Sequence, residues 1–161
     1  MIHDSERIAL SSISILFLTV FVAMAGFFFG LSIGIFIPIT VLVLIVAYAL
    51  LFDRRFLYTG LLCLGLLALW AVICYFLFDW SFDGMYYHKQ AIITLKEGWN
   101  PLRESSLSAD VFASYPDMAL WLDNYPKGIW IVSAVIYSVT NLLETAKAVN
   151  ILFLIPVFSV S

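Results

Sequence analysis

From Ile8 to Phe52 the sequence carries no charged side chain and no histidine, and from Phe56 to Phe78 it again carries none. Runs of this length dominate every other constraint, because about 20 apolar residues suffice for a helix to cross a hydrocarbon core of ~30 Å. Composition agrees: 63% of the residues are hydrophobic and 12% charged, with a mean hydropathy of +1.03, where a soluble domain has roughly 45–50% apolar and 25% charged residues. The expected class is an all-α, polytopic integral membrane protein, with the lipid bilayer as its first partner. A net charge of −3 and the absence of a basic block speak against nucleic acid.

Hydropathy divides the chain into spans over about 8–30, 31–52, 56–78 and 128–143, with a partial fifth over 151–161. Gly30, Gly34 and Pro38 mark the turn between the first two. Asp53-Arg54-Arg55 separates the second from the third, in which Gly60 and Gly65 permit close helix contact. The segment 79–127 is polar and aromatic and forms the long loop of a single membrane domain, 1–161. Cys63 and Cys74 lie in one apolar run without zinc or disulfide spacing, which makes them packing or lipid-facing residues. The basic residues Arg7, Arg54 and Arg55, with Lys147 on the same side by alternation, assign the short connections to the cytoplasm and the long loop to the outside. The loop's own Lys89, Lys96, Arg103 and Lys127 count less, since long loops translocate largely regardless of charge.

Ala23-Met24-Ala25 resembles a signal-peptide cleavage site. The acidic flank at Asp4 and Glu6 and the apolar run that follows at once favour a retained first span instead. His3 lies in the terminus and carries no signal. Tyr115-Pro116 and Tyr125-Pro126 read as loop punctuation.

Within the loop, "DGMYYHKQAIITLKEG" reads as a helix with Asp83 at the N-cap and Gly98 at C′. Its pattern is amphipathic. Met85, Ile92 and Leu95, with Tyr86 or Tyr87, form an apolar side suited to the headgroup boundary, and Trp80 and Trp99 bracket it as interfacial anchors. Two accounts of Asp83 stand side by side. As a cap it contributes about 1 kcal/mol and needs no chemistry; as a carboxylate just outside a span it can take a proton from a hydroxyl or hold a divalent cation. Asp79 is the second candidate. His88 lies five positions beyond Asp83 and points away from it on an ideal helix, so no direct dyad is expected, and its ordinary role is interfacial. Lys89 and Arg103 suit a phosphate as point charge and fork, or simply a solvated surface.

The order of a span, then "FDGMYYHKQAIITLKEGWNP", then "NYPKGIWIVSAVIYSVTNLLETAKAVN" resembles the front part of GT-C superfamily membrane glycosyltransferases, especially bacterial relatives of the dolichyl-phosphate-mannose mannosyltransferases. The likeness covers about Asp79 to Asn150. It implies transfer of a sugar from a polyprenyl-phosphate donor to an acceptor on the extracytoplasmic side of a bacterial cytoplasmic membrane. In that family an acidic residue of the first long external loop is the catalytic base or a cation ligand; Asp83 matches best, with Asp79 as fallback. His88, Lys89 and Lys127 are the implied substrate contacts, the lysines or a divalent cation meeting the leaving phosphate. GT-C enzymes have many more spans, so the chain is expected to be an N-terminal portion with an incomplete site.

The rival expectation is a non-catalytic small membrane protein or a truncated, inactive fragment. A transporter is disfavoured, because the apolar blocks before residue 79 hold no Asp, Glu, Lys, Arg or His apart from the Asp53-Arg54-Arg55 break. Donor sugar, acceptor and lipid carrier are not encoded in any motif.

Overall fold

The computed structural model describes residues 3–106 and 116–160, and all of the regular structure in them is helical. Three helices come first: α1 (Asp4–Phe28), α2 (Phe36–Leu51) and α3 (Arg54–Tyr75). A π-helical turn (Gly84–His88) leads into α4 (Lys89–Glu97), and α5 (Pro116–Asn124) and α6 (Gly128–Thr140) follow. A 3-10 segment (Leu143–Ala148) then joins α7 (Val149–Val160). Tyr115 lies outside the described residues.

α1 and α3 are long and apolar enough to cross a membrane. Only 33% and 22% of their most hydrophobic stretches are buried within the protein. Phe17, Phe21, Tyr58, Leu69 and Val72 stay exposed along them, which does not describe the core helices of a water-soluble domain. At 16 residues, α2 begins at Phe36 rather than at 31, because Gly30 at φ +80° and the turn through Gly34 use up the connection. Gly30 N–H donates to Phe27 O and Leu31 N–H to Gly26 O, closing that turn. Gly60 brings α3 close to Ile45 of α2, whereas Gly65 faces open space.

The bundle has two ends. At one, Asp53 caps α3 by accepting from Arg55 N–H (3.0 Å) and pairs with Arg7 of α1 (3.1 Å). At the other, the C-termini of α1 and α3 meet the loop. Asn100 Nδ2 donates to Phe27 O (2.8 Å) and Arg103 to Phe28 O (2.7 Å), so the Gly98–Arg103 stretch supplies side-chain donors to the last carbonyls of α1. α7 packs along α1 and α3, with Ser12 donating to Leu152 O (2.6 Å). Ala23 is buried in the core, and both cysteines are packing residues, buried in α3.

Three elements differ from the sequence reading in extent or surroundings. The segment read as a span over 128–143 is helical for 13 residues, a rise of about 20 Å beside ~30 Å of hydrocarbon. It stops at Asn141, which adopts the left-handed conformation (φ 55°). Near its start Trp130 contacts His88, and near its end Tyr137 and Asn141 contact Lys96. A helix tied at both ends to the same short α4 runs along α4. Lys147 therefore returns to the loop end, where it donates to Leu77 O and pairs with Glu144, and does not share a side with Arg7, Arg54 and Arg55. Finally, most of the side expected to face the headgroup boundary packs inside the protein: Tyr87, Ile92 and Leu95 are buried in the core and α4 packs on α6, while Met85 stays exposed.

Candidate functional site

The chain leaves α3 at Tyr75 and reaches α4 at Lys89 through a segment whose first task is to start a helix. Ser81 does so. Its Oγ accepts from Gly84 N–H (3.0 Å) and its carbonyl from Met85 N–H (3.0 Å), the pattern of an N-cap serine three residues ahead. Asp79 supports the same turn, accepting from Ser81 N–H (2.9 Å) through Oδ1. That hydrogen bond, the Ser81 hydroxyl and the nearby Lys89 and Lys147 hold the Asp79 carboxyl below the usual range. Its other oxygen lies against Gly84, where an added Cβ would sit 2.0 Å away, so this close approach requires glycine.

The expected cap at Asp83 is thus overturned. Asp83 is already helical (φ −61°, ψ −41°), makes no capping hydrogen bond and is exposed. The sequence reading puts the cap at Asp83; the helix in fact starts one residue after Ser81, which takes that place. Directly after Asp83 the backbone widens into the π turn, closed by Lys89 N–H donating to Gly84 O. Single π turns inside helices recur at functional sites.

Asp83 faces the hydroxyl of Tyr87. Burial first, then the Asp83 carboxylate and the Tyr125 phenol, push the Tyr87 hydroxyl above its ordinary pKa. Tyr87 is the centre of an aromatic group: Trp121 stacks on it (5.9 Å between centroids), and Tyr125, His88 and Trp130 surround it. Phe82 and Tyr86 form a second stacked pair (5.2 Å) beside Asp83. An exposed carboxylate is therefore flanked by rings on both sides, at the end of the apolar bundle where Phe76, Phe78 and Trp80 are also exposed.

The other sequence candidates are engaged elsewhere. His88 Nδ1 accepts from the Trp130 indole N–H (2.7 Å); an indole only donates, so that nitrogen carries no proton. Lys127 donates to the carbonyls of Asp123 (2.8 Å) and Tyr125 (3.4 Å), at the start of α6. Lys89 pairs with Glu144 (2.6 Å), donates to Asp79 O (3.3 Å) and lies over the Phe78 ring. Of the two expected anchors, Trp80 is exposed, whereas Trp99 is buried with its indole donating to Glu104 O (3.1 Å). Gly98 takes the expected left-handed C-terminal position at φ +117°.

Glu144 is the residue that sequence reasoning missed, having only a place in a polar break between apolar segments. Lys89 and Lys147 each approach one of its oxygens at 2.6 Å, and Asp79 N–H donates to it (3.3 Å). Burial alone would raise its pKa; the hydrogen bonds from the two lysines outweigh that and hold it below the ordinary range. A largely buried carboxylate between apolar elements must find cations, and that requirement was the available signal.

A divalent cation needs several oxygen ligands; Asp79 Oδ1 already accepts from Ser81 N–H, and among the described residues no three His, Cys, Asp or Glu side chains gather as a metal site. No family model, curated protein or solved structure matches the chain.

Proposed function

We propose that this chain belongs to a membrane glycosyltransferase of the GT-C kind, with Asp83 as the base for sugar transfer from a polyprenyl-phosphate donor at the extracytoplasmic surface of a bacterial cytoplasmic membrane. One observation carries this: Asp83 is an exposed carboxylate at the rim of the apolar bundle, released from helix capping by Ser81 and flanked by stacked rings. The ordered resemblance from Asp79 to Asn150 supplies the reaction.

In that reaction Asp83 takes the proton of an acceptor hydroxyl as its oxygen bonds to the anomeric carbon. The bond from that carbon to the phosphate oxygen breaks, and lipid phosphate leaves with the electron pair. The donor's tail stays in hydrocarbon, so its sugar is confined to the level at which Asp83 sits. Aromatic faces on either side suit the apolar face of a sugar ring and the start of the lipid chain. Asp79, Lys89, His88 and Lys127 hold the surrounding structure together in this arrangement.

Sidedness is supported by Arg54 and Arg55 in the short α2–α3 connection, at the end opposite the loop. The test is release of polyprenyl phosphate from polyprenyl-phosphate sugars by the full-length protein in nanodiscs. Asp83→Asn should lower it by 10²–10⁴-fold; an unchanged rate removes Asp83 from the chemistry. Labelling of Phe82→Cys by a membrane-impermeant maleimide in intact cells checks the side, and protection there with labelling only after lysis would reverse it.

A further inference from the structure

One carboxylate grips both ends of the segment that carries Asp83. Glu144, more than fifty residues away in the sequence, accepts from Asp79 N–H at the start of that segment (3.3 Å) and from Lys89 Nζ at its end (2.6 Å). Lys89 closes the loop by donating to Asp79 O (3.3 Å). Between these two points lie the Ser81 cap, Asp83 and the π turn. Both side chains of the clamp are largely shielded, Lys89 at 11% and Glu144 at 16% exposure. The third partner, Lys147, touches Glu144 and Leu77 O, so the grip also anchors the segment to the end of α3.

We infer that Glu144 is the positioning residue for Asp83: it fixes the Asp79–Lys89 segment at both ends and thereby sets where the Asp83 carboxylate stands. This rests on Asp83 acting as base. A π turn is a poorly bonded element that persists only when its surroundings determine it, and a shift of about 1 Å in a reacting group can cost 10²-fold in rate. Glu144 does not touch Asp83, so its influence runs through the segment it holds.

The experiment compares Glu144→Ala, Glu144→Gln, Lys147→Met, Asp83→Asn and Asp83→Asn/Glu144→Ala in the full-length protein. Two readouts are hydrogen exchange of the 79–89 amides and donor turnover split into kcat and KM. The expected result for Glu144→Ala is faster exchange confined to 79–89 and a kcat lower by about 10²-fold with donor KM unchanged. In the Asp83→Asn background the second substitution should remove nothing more, because it acts through the same carboxylate. Lys147→Met removes an equally short ion pair and the tie to Leu77 O but neither end of the grip, and should lower kcat by clearly less than Glu144→Ala does; an equal loss would place the control in the α3 anchor instead. Glu144→Gln keeps one acceptor without the charge and should fall between, and it carries the test if the alanine variant fails to fold. Unchanged exchange over 79–89, or additive losses in the double variant, would overturn the assignment. Full activity in Asp83→Asn would instead remove the base while leaving the exchange result to judge the clamp.

Discussion

The two ends of the bundle solve the same problem with different numbers of residues. At the Arg7 end, Asp53 alone both caps α3 and pairs with the neighbouring helix, and Arg7 and Arg55 N–H together hold its carboxyl below the usual range. At the loop end those duties are divided: Ser81 caps, Asp79 steadies the turn and Glu144 takes the cations. Division leaves one carboxylate, Asp83, exposed beside stacked aromatics and outside the capping pattern. The comparison teaches that a charge near an apolar helix becomes a candidate for chemistry only after the structural jobs around it have been assigned to other residues.

The sharpest contrast between the ends is in activity. Replacing Arg7 by glutamine should leave donor turnover unchanged, since its partners Asp4 and Asp53 stand at the far end, whereas Asp83→Asn should lower it by at least 10²-fold. Equal losses from both would erase the distinction. Next in size is Gly84→Ala, where the new Cβ would meet the Asp79 carboxylate. It should cost about 1–3 kcal/mol by overpacking, read as a lower midpoint in detergent unfolding, and it should depress turnover by moving Asp83. Asn100→Ala strips a buried hydrogen bond from Phe27 O and should cost about 1–3 kcal/mol with less effect on turnover; a neutral result would mean the Gly98–Arg103 stretch does not hold the end of α1.

Much of the helical order was legible before any coordinates. The charge-free runs mark α1 and α3, Asp53-Arg54-Arg55 marks the polar break between α2 and α3, and Gly98 marks the end of α4. The course of α6 was not, because a helix as apolar as "IWIVSAVIYSV" reads the same whether it crosses lipid or is buried by protein. Its left-handed stop at Asn141, its contacts with α4 and the place of Lys147 at the loop end are tertiary features that hydropathy does not record. The cap was misplaced by two residues because the helix starts earlier than Asp83, at the residue after Ser81, and the π turn leaves no periodic trace. Glu144 was invisible as a site residue, since its meaning lies wholly in contacts with Asp79 and Lys89, which are distant in sequence.

The smallest expected effect is on pH. Glu144 has a folded-state pKa depressed below its ordinary 4.5, so the clamp's contribution is complete above that value and is lost as pH falls through the depressed folded value. Protection of the 79–89 amides should therefore be flat from neutral pH down to the ordinary carboxylate range and decline only below it. A decline already between pH 6 and 8 would point to a group other than Glu144.

The division of labour at the loop end is tested most directly by pairing Ser81→Ala with Asp83→Asn and measuring unfolding midpoint and donor turnover for both. Ser81→Ala should lower stability by about 1 kcal/mol and retain most of the turnover, while Asp83→Asn should keep the wild-type midpoint and lose turnover. The opposite pattern, an Asp83→Asn protein that is destabilised yet fully active, would make Asp83 a structural residue and contradict the account.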